Sequence, residues 1–238
     1  MPACTRRQFL ASTTLAASAT IVAMAGATAP PKESGLSSEG LLVGHAGFQP
    51  RTSMPLPYDE LPGFLSRLQL ASHHAAYVRL VERLRDTEQA LRAAVDDATR
   101  YGELRRQQVD AANGVLLHEL YFTGLAAAQV EPPRYIQNHM HEHMGTWEQW
   151  RDDFRRCALA AKTWAVLAYD PYDDRWHDVV MDSHHDGIWV GANPLVVCDV
   201  ADHALAKDYP RREEYVGKFI DRIDWNEVAK RYKAVDRM

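Results

Sequence analysis

From Leu65 to Ala127 the chain holds little but two consecutive amphipathic stretches, and no other segment restricts its folding as tightly. In the first, Leu68, Tyr77, Leu80, Val81, Leu84, Leu91 and Val95 recur at helical spacing with Arg and Glu between them, so the pattern predicts one long helix over 65–98. In the second, over 104–127, Val109, Leu116, Leu120 and Phe122 mark the apolar face. Two long helices this close in sequence pack as an antiparallel hairpin.

The texture changes after Pro132-Pro133. Residues 146–161 read as a helix with a Trp147/Trp150/Phe154 face, 164–169 (Trp-Ala-Val-Leu-Ala-Tyr) as a strand, and 170–174 as an Asp/Pro turn. Residues 175–183 and 194–200 are two further strands, and 211–232 a last helical region. The fold class expected is α+β: a long N-terminal helical hairpin, 57–130, followed by a domain over 131–238 with a small antiparallel sheet flanked by helices. Residues 1–29 combine Arg6-Arg7-Gln8-Phe9-Leu10 with an Ala/Thr-rich run and a small-residue exit near Ala27-Thr28-Ala29. This pattern predicts a twin-arginine export signal and a periplasmic or secreted destination for a protein exported folded. Residues 30–56, rich in Pro, Gly and Ser, read as an extended leader.

The net charge of −5, without a long basic block, argues against a nucleic-acid partner or an anionic membrane surface. The three cysteines form no C-x-x-C pair, which excludes a zinc ribbon or a thioredoxin-type centre. Cys157 and Cys198 are expected as buried free thiols. Histidine is more informative, with 11 in the chain. Asp199-Val-Ala-Asp-His203 ends an apolar strand in a carboxylate with an imidazole four residues on, a spacing that lets both reach one metal ion. Alone, it equally fits an Asp capping a helix that carries a His. His139, His141 and His143 alternate before the next helix and are expected as surface residues of a loop.

The text around these residues resembles the iron/manganese superoxide dismutase family. The resemblance rests on the run from Asn193 to Ala204, on Asp208-Tyr-Pro-Arg-Arg-Glu-Glu-Tyr-Val and on Phe219-Ile-Asp-Arg-Ile-Asp-Trp-Asn. Upstream it rests on Asn113-Gly-Val-Leu-Leu-His118-Glu-Leu-Tyr-Phe and on Leu56-Pro-Tyr58-Asp-Glu-Leu61 with His73-His74. It implies superoxide as substrate and one Fe or Mn ion per chain, held by His73, His118, Asp199 and His203. An N/O donor set without thiolate suits such ions. The first ligand has two registers. Counting without a gap from Tyr58-Asp59 gives His73, whereas reading His73-His74-Ala75-Ala76-Tyr77 as a later family motif leaves Gln69 there and abolishes the site. The first keeps all four ligands and is preferred.

The resemblance further implies an outer-sphere role for His184, with His185 as the fallback, and a place for Trp164 in the wall beside the metal. Four positions depart from the family. Val81 stands where its gateway tyrosine is expected, so Tyr77, one turn above His73, is the substitute. Ala201 and Leu205 replace aromatics, and Asp202 replaces a longer acid that bridges subunits. A homodimer is therefore left open, with interface residues atypical of the family.

Overall fold

A computed structural model describes residues 52–93 and 96–236 of the chain. The twin-arginine segment, the leader as far as residue 51 and Val95 lie outside the described residues. The hairpin is formed by α1 (Arg67–Ala93) and α2 (Ala98–Thr123). Along α1 the buried positions are Gln69, Leu70, His73, Tyr77, Val81, Leu84, Thr87 and Leu91, a stripe that from Leu70 onward runs in steps of three and four and matches 3.6 residues per turn. Leu68 lies off that stripe and is 66% exposed; on α2 Val109 is likewise 51% exposed, so neither belongs to the apolar face that its spacing suggested. Helix α2 begins earlier than expected because Asp97 accepts the Arg100 backbone N–H and caps it. It ends sooner, at Gly124. From Gly114 to Phe122 it is buried almost all round, with Gly114, Val115, His118, Glu119 and Tyr121 all inside.

The histidine-bearing segment before residue 145 is a helix and not a loop: α3 spans Arg134–Met144. Helix α4 (Trp147–Ala160) follows, started by Thr146, whose side chain accepts the Gln149 backbone N–H while Gln149 caps back. Three antiparallel strands come next: β1 (Trp164–Asp170), β2 (Arg175–Met181) and β3 (Asn193–Asp199), in the order β2-β1-β3. The central strand β1 is buried throughout, as is β3, whereas β2 is partly exposed. Pro194 sits near the start of β3, beside the register shift at Leu167/Ala168, where a missing N–H is tolerated. After the single turn α5 (Asp202–Leu205), the last helical region is two helices rather than one, α6 (Arg212–Ile220) and α7 (Trp225–Val235). Asp224 accepts the Asn226 and Glu227 backbone N–H groups and starts α7 anew, which is why 211–232 is broken.

The hairpin and the sheet share one apolar cluster, which runs from Leu61 and Tyr77 through Phe122 and Trp164 to Tyr232. Arg231 crosses it fully buried, donating to the carbonyl oxygens of Leu195 and Leu120 and to Thr123 Oγ1. It thereby ties α7 to β3 and to the end of α2. Both described cysteines are free thiols; Cys198 is buried and Cys157 half-buried.

Candidate metal centre

Four side chains from distant parts of the sequence converge where α1, α2 and β3 meet. His73 leaves the second turn of α1 and His118 the buried end of α2. Asp199 closes β3, and His203 lies on α5 just after it. One ligand atom from each lies within 4.8 Å of the others, and His73, His118 and Asp199 are fully buried. Asp199 Oδ2 is the common neighbour: His73 Nε2 stands 2.9 Å from it, His203 Nε2 3.0 Å and His118 Nε2 3.6 Å. The other oxygen, Oδ1, accepts the Ala201 backbone N–H at 2.9 Å, which fixes the carboxylate plane. His203 keeps 35% of its side chain exposed and is the side of the cluster that faces water.

Protonation follows from the partners. His118 Nδ1 donates to the Gly114 carbonyl at 2.6 Å, so the neutral ring presents a bare lone pair on Nε2. That lone pair faces His203 Nε2 at 3.4 Å and a carboxylate oxygen. Burial holds His118 down at about 3, with the Asp199 charge opposing, and burial likewise lowers His73. Burial pushes the Asp199 carboxyl up, but hydrogen bonds from His203 and His73 outweigh it and keep it far below the ordinary carboxylate range. For His203, burial is outweighed by its bond to Asp199, and it is raised. The buried groups thus sit as neutral imidazoles around an ionised carboxylate.

This donor set fits a transition ion. Donors roughly 2.1 Å from a common centre are separated by about 3.0 Å at right angles and about 3.6 Å at 120°, the range of the observed spacings of 2.9, 3.0, 3.4 and 3.6 Å. Without a cation, the His118 Nε2 lone pair faces the Asp199 carboxylate 3.6 Å away with both groups buried, which is costly. His73, His118, Asp199 and His203 are the residues that could hold the ion.

Around the cluster, Trp164 on β1 lies edge-on to His118 with ring centroids 4.9 Å apart, and its Nε1–H donates to His184 Nδ1 at 3.0 Å. Because an indole can only donate, His184 Nδ1 is the acceptor and the neutral ring carries its proton on Nε2. Burial lowers the His184 pKa and so favours that neutral form. The ring centroids of His184 and His118 are 6.1 Å apart. Gly114 makes the approach possible: a Cβ there would meet His184 Cδ2 at 3.0 Å and Nε2 at 3.2 Å. His185 turns elsewhere, bonding Asp110 Oδ1 at 3.0 Å on the exposed side.

Gln69 is not among the converging donors. It donates to the His203 carbonyl and accepts the Lys207 N–H, bracing the α5 turn from below. Tyr77 is buried, with its ring centroid 6.1 Å from that of His118; its hydroxyl donates to Glu119 Oε1 at 2.9 Å and accepts the Met54 N–H. Glu119, fully buried beside His118, did not stand out in the sequence, because a Glu inside an amphipathic helix reads as a solvated residue. Tyr121 and Phe122 cover His73 at 4.7 and 4.9 Å between centroids. Val81 is buried on α1.

The family model for the iron/manganese superoxide dismutases, C-terminal domain, matches residues 132–231. Superoxide dismutase [Mn] 2 of Haloferax volcanii is 31% identical over 186 residues, spanning 76% of this chain and 93% of its own length. Superoxide dismutase [Fe] of Aquifex aeolicus is 31% identical over 162 residues, 67% of this chain and 76% of its own length. Superoxide dismutase [Fe] of Methanothermobacter thermautotrophicus is 28% identical over 201 residues, 76% of this chain and 93% of its own. With such identity sustained along nearly the whole Haloferax protein, hairpin and sheet together, this chain belongs to the iron/manganese superoxide dismutase family.

Proposed function

We propose that the chain disproportionates superoxide, 2 O2•− + 2 H+ giving O2 and H2O2, at a single Fe or Mn ion held by His73, His118, Asp199 and His203. The convergence of three imidazole nitrogens and one buried carboxylate within 4.8 Å carries this reading. When bound, the ion supplies one-electron redox exchange between two superoxide anions; the protein sets its donors and its protons. Asp199 contributes the one negative charge of the cluster. His118, held by the Gly114 carbonyl, keeps its Nε2 lone pair aimed inward. The Trp164 indole fixes the His184 tautomer, so that the Nε2–H of His184 is a hydrogen-bond donor on the Gly114 side of the cluster. Tyr77 and Glu119 form a buried pair behind His118 and act as positioning residues. Arg79, exposed and close enough to His203 to lower its proton affinity, offers a cation at the accessible side to an anionic substrate.

If these residues hold the ion, the purified protein contains close to one Fe or Mn per chain. His118→Gln then loses it while keeping the helical content of the parent. Metal retained in full by His118→Gln would contradict the assignment. His184→Ala is expected to lower turnover per metal by roughly tenfold or more with little change in melting temperature, and His184→Gln, which keeps a donor, to recover part of it. Unchanged turnover per metal in His184→Ala would remove the proposed role.

A second reading, a metal-holding relative with weak dismutation, is favoured by Val81, Ala201 and Leu205, where the family's aromatic residues are missing. Bound metal without superoxide consumption would support it. Export by the twin-arginine route is also proposed: Arg6→Lys with Arg7→Lys is expected to leave the protein in the cytoplasm, and unaltered export of that variant would contradict it.

A further inference from the structure

Helix α3 carries a second convergence of metal-binding groups that the dismutase reading does not use. His139 and His143 stand four residues apart, so both imidazoles leave the same side of the helix. With Glu142 beside them, ligand atoms of all three lie within 4.8 Å of one another. The two ring centroids are 5.6 Å apart. Aromatic walls hold them: Tyr232 of α7 lies 4.8 Å from His139, and Trp176 of β2 lies 6.1 Å from each ring. His139 Nδ1 and His143 Nδ1 are both shut off from solvent, and neither has a hydrogen-bond partner among the described residues. An imidazole nitrogen is either an N–H or a lone pair, and each calls for a partner. Two such orphaned nitrogens on one helical face, with a carboxylate alongside, are what a transition ion satisfies.

The contrast with a third grouping is instructive. Asp170, Asp173 and His177 are equally close, but Asp170 already accepts the Tyr172 N–H and the Trp189 indole N–H, and His177 is paired with Asp173 at 2.9 Å. Its groups are satisfied by the protein itself.

We propose that His139, His143 and Glu142 form a second metal site, separate from the cluster at His73, that takes a divalent ion of the zinc class. Two imidazoles and one carboxylate are a zinc donor set, and with only three protein ligands a coordination position is left to solvent, on the side where Glu142 is exposed. The ordering of divalent affinities favours zinc over Mn or Fe(II) at such a site, so one chain would sort two kinds of ion. The bound ion would bridge two turns of α3 and stiffen the face that packs on Trp176 and Tyr232.

The test is a calorimetric Zn2+ titration of the protein already carrying its Fe or Mn, with all three metals counted after desalting. The result expected is a further Zn2+ ion per chain with Fe or Mn content unchanged, and binding weakened by roughly tenfold or more in both His143→Gln and Glu142→Gln. Glu142 is exposed, so its substitution leaves the core intact and keeps the test decisive should His143→Gln fail to fold. No uptake of Zn2+ beyond the first cluster, or uptake undiminished by these substitutions, would overturn the proposal.

Discussion

Gly114 shows how a single missing carbon makes room for a neighbouring ring, here that of His184. Alanine in the interior of a helix is worth up to about 1 kcal/mol over glycine. Here, however, the added Cβ would stand 3.0 Å from both His184 Cδ2 and Leu80 Cδ1. The gain in helix propensity and the clash oppose each other, so Gly114→Ala is expected to change stability by no more than about 1 kcal/mol while displacing His184. The measurable outcome is a fall in turnover per metal with a nearly unchanged melting temperature; unchanged turnover would mean the ring is not needed where it stands. Asp178 gives the pH dependence at this scale. Burial and the Asp153 charge push its carboxyl up to about 8, against a weak bond from the Trp150 indole at 3.4 Å, and its Oδ2 has no partner among the described residues. The folded protein holds this proton up to about pH 8 while the unfolded chain releases it near 4, so stability falls as pH rises between those values. Asp178→Asn is therefore expected to match the parent below pH 4 and to exceed it by on the order of 2 kcal/mol near pH 8, the partial exposure of the residue moderating the full effect. Melting curves at the two pH values check it, and an equal or lower melting temperature at pH 8 would contradict it. The convergence of His73, His118, Asp199 and His203 was legible in the sequence because the runs around them are distinctive. The choice of His184 over His185 and the place of Gln69 were not, since both depend on which way a side chain turns in space.

Among the elements, those with a clean apolar period or a capping residue could be read directly. Helix α4 is one: its Trp147/Trp150/Phe154 face carried the period, and the structure adds the Thr146/Gln149 cap, so Thr146→Ala should cost about 1 kcal/mol, lowering the melting temperature by roughly 2–4 °C. Helix α3 was not legible, because its buried positions are only Ile136 and Met140 and the histidines between them look like solvated polar residues. The break between α6 and α7 was hidden as well; Phe219, Ile220 and Ile223 continue the apolar pattern through it, and only the Asp224 cap marks the new start. Arg231 is the clearest case of an element held by a polar group. Its guanidinium is fully buried and donates to the carbonyls of Leu120 and Leu195 and to Thr123 Oγ1, so Arg231→Met removes all three bonds from the core. A loss of about 3 kcal/mol is expected, read as a shift of the denaturation midpoint; a midpoint within experimental error of the parent would show that the tie between α7, β3 and α2 is dispensable.

Across the molecule, the His/Asp cluster proposed to hold the metal joins what the chain order separates. One donor comes from α1, one from α2 and two from the end of β3 and α5, so an ion bound there closes the hairpin onto the sheet. Such a ligand binds the folded state alone and stabilises it by mass action. Removal of the metal by a chelator is expected to lower the melting temperature by roughly 10 °C, from about 3–4 kcal/mol of linkage at a hundred to a thousand times the dissociation constant, and readdition should restore it. The same construction makes the dismutase reading sharply testable. The most direct measurement is the rate of superoxide decay by the purified protein, normalised to its bound iron and manganese. Decay in strict proportion to one of these ions, and abolished in Asp199→Asn, is the expected result; a protein that holds its full complement of metal and leaves superoxide to decay at the uncatalysed rate would contradict it.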